Sequence, residues 1–198
     1  MMQRIRTRLR ALVSDRRGIA AIEFAFIAPL LLSLYFVTME VAQGIEANKK
    51  VGRVASMTAD LVTQQQSISK TEVEAIMRIG ESILQPYNRT KPSITVTAIE
   101  ITNETPPKVK VLWSRKLING VFSAGAAKGT ATTVPTKLTI KDSFLLRVET
   151  GLAYKPVIVW TASQKTSLGL AAAFDNIAMK EVYYLRPRRS PTIPCADC

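Results

Sequence analysis

The sequence predicts an α+β fold: a long N-terminal helix that starts in a membrane, a second helix, and an antiparallel sheet of about four strands. Three observations predict it. An apolar run over Ile19–Ala42 passes without interruption into an amphipathic helical rhythm. A capped and striped segment follows between Ser69 and Leu84. From Ser93 onward the period shortens from that of a helix to strict alternation with β-branched residues.

The first element is set by hydropathy. The chain has 198 residues and is 47% hydrophobic, but the apolar residues crowd into Ile19–Ala42. Within it, the 21 residues Ile19–Met39 hold one charge. As a helix they would extend about 32 Å, enough for the hydrocarbon core of a bilayer. Formal net charge is +12, and the first eighteen residues concentrate Arg4, Arg6, Arg8, Arg10, Arg16 and Arg17 against Asp15. The positive-inside rule keeps that end cytoplasmic and sends the rest across. Pro29 lies inside the run, lacks a backbone donor, and should kink the helix.

One residue does not suit a plain anchor. Glu23 sits near the start of the run, where an acid at a membrane helix centre costs about 2.5–3.5 kcal/mol. A cleaved secretory signal fits poorly, because the run is long and no small-residue cleavage site closes it. A plain single-pass anchor accounts for everything except Glu23, which would then snorkel to the interface. The third reading starts from the stretch Arg16-Arg17-Gly18-Ile19-Ala20-Ala21-Ile22-Glu23-Phe24. Here glycine is followed by four residues, then glutamate and phenylalanine, then the apolar segment.

In this stretch the chain resembles the Flp/Tad pilin superfamily, and within it the TadE-like minor pilins or pseudopilins. The resemblance implies cutting between Gly18 and Ile19 by a prepilin peptidase, with the apolar helix kept on the mature protein. It implies that Glu23, beside Phe24, pairs with the free amine of a neighbouring subunit's first residue. Its partners would be other Tad pilins and pseudopilins through the N-terminal helix, the prepilin peptidase, the Tad inner-membrane assembly platform and membrane lipid. It also implies a bacterial inner-membrane location with a periplasmic head. The protein would enter a surface pilus or assist its assembly, in support of adhesion and colonisation.

Beyond the apolar run, Ile45, Val51, Val54, Ala55, Thr58, Leu61 and Val62 fall on or near one helical face, so one helix should continue to about Gln66. Gly44 and Gly52 are its soft points. The second helix opens on a capping box, either Ser69 with Glu72 or Thr71 with Glu74. It carries the stripe Val73, Ile76, Met77, Gly80, Ile83 and Leu84, and stops at Pro86. Strands are expected over Ser93–Ile101, Lys108–Ser114, Ser143–Val159 and Lys180–Arg188. Arg115–Lys141 reads as a long loop, and Ala162–Met179 as a turn or membrane-side loop. The order matches the lollipop plan of pilins by analogy. The expected domains are a leader, 1–18; a membrane helix, 19–42; an α+β head, 43–190; and a tail, 191–198.

Catalysis is not expected. The chain has no histidine, which removes the commonest general base and metal ligand. It has neither a nucleophile-elbow glycine–serine motif nor a phosphate-binding loop. No cofactor or metal is expected. The basic residues form no nucleic-acid stripe, so no nucleic-acid partner is expected. Arg186, Arg188 and Arg189 read as a solvated basic tail. The two cysteines, Cys195 and Cys198, stand at the C-terminus, where neither should anchor a core. Outside the cytoplasm they should form an intramolecular or intersubunit disulfide. A partner-binding envelope protein that is never processed is the competing function. A membrane-tethered thiol oxidoreductase is a remoter one, because no helix follows the second cysteine.

Overall fold

A computed structural model describes residues 18–157 and 177–198. Residues 1–17 of the expected leader lie outside the described residues, as does most of the segment expected to be a turn or membrane-side loop over Ala162–Met179. The chain divides into two compact units, one ending at Ala42 and the other covering Gln43–Cys198.

Helix α1 (Ile19–Thr63) runs without interruption through Pro29, Gly44 and Gly52 and ends three residues before the expected Gln66. In the first unit most of its large side chains are exposed, Phe24, Phe26, Leu30 and Leu34 among them, while Glu40 is buried. The hydroxyls in this stretch are satisfied within the helix: Ser33 Oγ donates to the Leu30 carbonyl at 2.8 Å and Thr38 Oγ1 to that of Leu34 at 2.7 Å. Such internal bonding lets polar groups enter an apolar medium.

In the second unit α1 changes character. Ala47, Val51, Val54, Ala55, Thr58, Ala59 and Val62 are buried at three- and four-residue spacing. Ile45 was expected on this face but is 54% exposed, because the buried stripe starts at Ala47. Helix α2 (Lys70–Ile83) buries Val73, Met77 and Gly80. At Gly80 the helices pack with no room for a side chain. A Cβ there would lie 3.0 Å from Thr58 Oγ1, 3.1 Å from Val54 Cγ1 and 3.3 Å from Ile94 Cδ1.

The sheet has five strands rather than four: β1 (Ser93–Ile101), β2 (Val109–Ile118), β3 (Val121–Ala124), β4 (Ser143–Tyr154) and β5 (Ile177–Leu185). All neighbours are antiparallel, in the order β3-β2-β1-β4-β5. The expected first strand is reproduced. The second runs four residues further than expected. The third stops at Tyr154, and the last is shifted to start at Ile177. The helices pack on the face carrying Ile94, Val96, Ala98, Leu146 and Val148, with which they share one core. Thr150 Oγ1 bonds the Val51 carbonyl of α1 at 3.0 Å.

The expected loop over Arg115–Lys141 is largely structured. β2 occupies its start. Asn119 and Gly120, both with positive φ (54° and 79°), then turn the chain into β3. Asn-Gly is the preferred pair for a two-residue hairpin, since both positions need positive φ. Farther on, Val111 N–H donates to Thr130 O at 2.9 Å and Thr132 N–H to Val109 O at 3.0 Å. The segment ends in a 3-10 turn, Thr136–Leu138. Val134 and Leu138 cover a second small core of Ile99, Ile101 and Leu145. Those three residues alternate with the helix-facing ones along β1 and β4, so they lie on the opposite face of the sheet.

Candidate functional site

The N-terminal segment carries the residues singled out for processing and assembly. Gly18 immediately precedes α1, and Ile19 is its first residue. Glu23 follows one turn later on the same face, with Phe24 beside it, and all four are exposed. Among the described residues Glu23 has no ion-pair partner. Pro29 leaves the Ala25 carbonyl without its usual helical donor. The chemistry available here is that of an apolar helix presenting a carboxylate one turn from its start. Such a surface needs lipid or other helices around it, and the carboxylate needs a cation.

α1 is long and apolar enough, by length and composition, to cross a membrane. Residues 18–60 match the model of the TadE-like protein family. No curated protein matches the chain, and no solved structure does. The TadE-like stretch takes in Gly18, Ile19, Glu23, Phe24 and Pro29 and reaches through the buried stripe of α1 as far as Asp60. α2 and the sheet lie beyond it.

At the other end of the chain, the cysteines are not on a free tail. Cys195 and Cys198 form a disulfide, with Cα atoms 5.6 Å apart. Neither is expected to anchor a core, yet both pack against the main one, and the adjoining Ile193 is fully buried in it. The indole N–H of Trp113 donates to Ile193 O at 2.8 Å, and Ile68 N–H donates to Pro194 O at 3.0 Å. Asp197 then reaches the start of α2, where its Oδ1 accepts the Lys70 N–H at 2.8 Å.

That contact completes a dense cap. The first amides of a helix lack intrahelical partners, and a carboxylate beside them also meets the positive end of the helix dipole. Ser69 N–H donates to Glu72 Oε2 at 2.8 Å, and Ser69 Oγ accepts from Glu72 N–H at 3.3 Å. The first of the two expected capping boxes is therefore the one used. The Ser69 backbone bond, then its hydroxyl, hold the Glu72 carboxyl below the usual carboxylate range.

The basic tail is likewise engaged. Arg188 N–H donates to Thr63 O at 3.1 Å, and its guanidinium meets Asp60 at 2.7 Å. Its backbone caps the end of α1, while the ion pair is exposed and contributes little. Sequence reasoning missed this strap altogether. Its signal is the apolar Ile193 between prolines in an otherwise polar tail.

Cys195, Asp197 and Cys198 bring three potential metal ligands within 4.8 Å of one another. With the sulfurs joined and Asp197 committed to Lys70, the group acts as a clasp on α2.

Proposed function

We propose that this chain is a non-enzymatic minor pilin or pseudopilin of a Tad-type apparatus. In this reading it is inserted in the bacterial inner membrane by Ile19–Ala42, with the N-terminus cytoplasmic and the head periplasmic. A prepilin peptidase cuts between Gly18 and Ile19. The mature helix packs against other pilins, with Glu23 neutralising the new amine of a neighbour's Ile19. The observation that carries the proposal is the glycine-xxxx-glutamate-phenylalanine motif at the head of a largely exposed apolar helix, inside the TadE-like stretch.

The test has two parts. Mass spectrometry of the mature protein should find Ile19 at its N-terminus, and an intact Met1 in cells with active peptidase overturns the reading. Glu23→Gln should leave cleavage and head folding intact but sharply reduce co-purification with other pilins. Removing one member of a buried pair costs about 3–5 kcal/mol, and even the lower figure is roughly a hundredfold in an assembly constant. Unchanged co-purification would show the carboxylate to be a passenger.

A further inference from the structure

A cleft of about 70 Å³ opens in the second unit, lined by Gln43, Tyr87, Arg89, Tyr154 and Lys155, with Pro86 and Val157 as an apolar wall. No acidic side chain lines it. Arg89 and Lys155 are exposed, and neither has an ion-pair partner among the described residues.

The local structure is built to hold these two cations together. Thr90 Oγ1 donates to Ala153 O at 2.5 Å, tying the loop after α2 to the end of β4. Arg89 and Lys155 therefore flank a fixed point. Lys50 Nζ donates to Gln85 O at 2.5 Å and lies 5.1 Å from the centre of the Tyr87 ring, pinning the loop to α1. Tyr154 packs beside Gly44, its Cε1 3.9 Å from where a Cβ would stand.

The position in the chain supplies the rest. Gln43 directly follows Ala42, the last residue of the apolar unit. A helix over 19–42 is about 36 Å long, against about 30 Å for a hydrocarbon core, so its end emerges among the headgroups. Gln43 lines the cleft itself, so the cleft opens within the headgroup layer. Paired cations and a tyrosine ring at that depth suit an anionic headgroup.

We propose that this cleft binds the phosphate of an anionic phospholipid, with Arg89 and Lys155 as its counter-ions and Tyr87 against the glycerol. The proposal rests on Ile19–Ala42 spanning the bilayer, as the functional reading requires. Alkaline carbonate extraction tests that premise separately, and release of the protein would refute the membrane reading itself.

For a chain that stays inserted, the full-length protein is reconstituted in nanodiscs of equimolar phosphatidylglycerol and phosphatidylcholine. Lipid retained after detergent extraction is then counted by native mass spectrometry. Each surface cation is worth roughly fivefold in anionic-lipid preference. Wild type should therefore favour phosphatidylglycerol, and Arg89→Gln with Lys155→Gln should abolish that preference. The control pair Lys128→Gln with Lys137→Gln, exposed on the segment after β3, should keep it. Equal retention of both lipids by wild type, or an undiminished preference in the Arg89/Lys155 variant, overturns the proposal. So does displacement of the lipid by millimolar inorganic phosphate, which would mark a free-phosphate site.

Discussion

Replacing Gly80 by alanine sets two effects of known size against each other. In a helix interior alanine is favoured over glycine by about 1 kcal/mol. At this position, however, the added methyl lies 3.0, 3.1 and 3.3 Å from atoms of Thr58, Val54 and Ile94, all inside the ~3.5 Å at which carbon contacts become favourable. Thr58 and Val54 are β-branched residues on α1 and have little rotamer freedom with which to turn away. Thr58 Oγ1 is also buried without a hydrogen-bond partner among the described residues. Overpacking of this kind costs about 1–3 kcal/mol, so the balance falls on the destabilising side by about 1 kcal/mol. Gly80→Val adds two further methyls with no propensity gain and should cost about 3 kcal/mol. Urea unfolding of the full chain in detergent reports this through Trp113, in a Trp160→Phe background. With a slope of about 2 kcal/mol/M, the alanine variant should lose about 0.5 M in midpoint. An alanine variant as stable as wild type would mean that the helices separate freely, and the close crossing at Gly80 would not be what fixes their packing.

The cap of α2 should respond to acid. Because the Glu72 carboxyl is held below its ordinary range, its contribution is complete above about pH 4.3 and is lost as pH falls through its folded value. Protection of the Ser69 amide, its exchange measured against an unstructured amide at the same pH, should therefore fall in that window, and in Glu72→Gln this dependence should disappear. The Glu74–Arg115 pair, with side chains 20% and 7% exposed, should cost about 3 kcal/mol when Glu74→Leu strands the arginine. Adding Arg115→Met should recover most of that loss in the same urea assay. In the C-terminal strap, Ile193→Ala should cost about 3 kcal/mol. Reducing the Cys195–Cys198 disulfide should cost about 2 kcal/mol at most, since it closes so short a loop. A larger loss on reduction would make the disulfide, and not Ile193, the main anchor.

The elements legible in the sequence were those whose signal is local. The Ser69–Glu72 box, the α2 stripe and the alternation of Ser93–Ile101 each announce themselves within a dozen residues, and each appears where expected. β3 was also locally signalled by Asn119-Gly120, but the Gly-, Ala- and Thr-rich composition around it hid the hairpin. The C-terminal strap was not legible for a different reason. Trp113 and Ile193 lie 80 residues apart, and Asp197 and Lys70 lie 127 apart. No period or spacing connects such partners; only the folded sheet brings them together. The residues proposed for processing are the reverse case. Gly18, Glu23 and Phe24 were legible as a motif, whereas the exposed helix around them acquires its meaning only from surroundings outside this chain.

The two halves of α1 cannot serve assembly equally. From Ala47 to Val62 its apolar stripe is already buried in the chain's own core, so a neighbour could reach only the opposite face of that half. There the exposed residues include Glu46, Lys49 and Met57, a mixed surface with little apolar area to offer. Before Gln43 Glu40 is the buried residue among the described ones, and Phe24, Phe26, Leu30, Leu34 and Tyr35 are all exposed. If the chain packs among pilins as proposed, nearly all the helix–helix contact must therefore be made within Ile19–Ala42. That is an apolar medium, where lipid competes with protein for the same side chains and burial alone gives little preference for a partner. A paired charge does give preference there, because an unpaired one is costly. Glu23 is the acid placed to supply it at the leading end of the segment, so specificity of assembly should depend more on that one carboxylate than on the many hydrophobic residues around it.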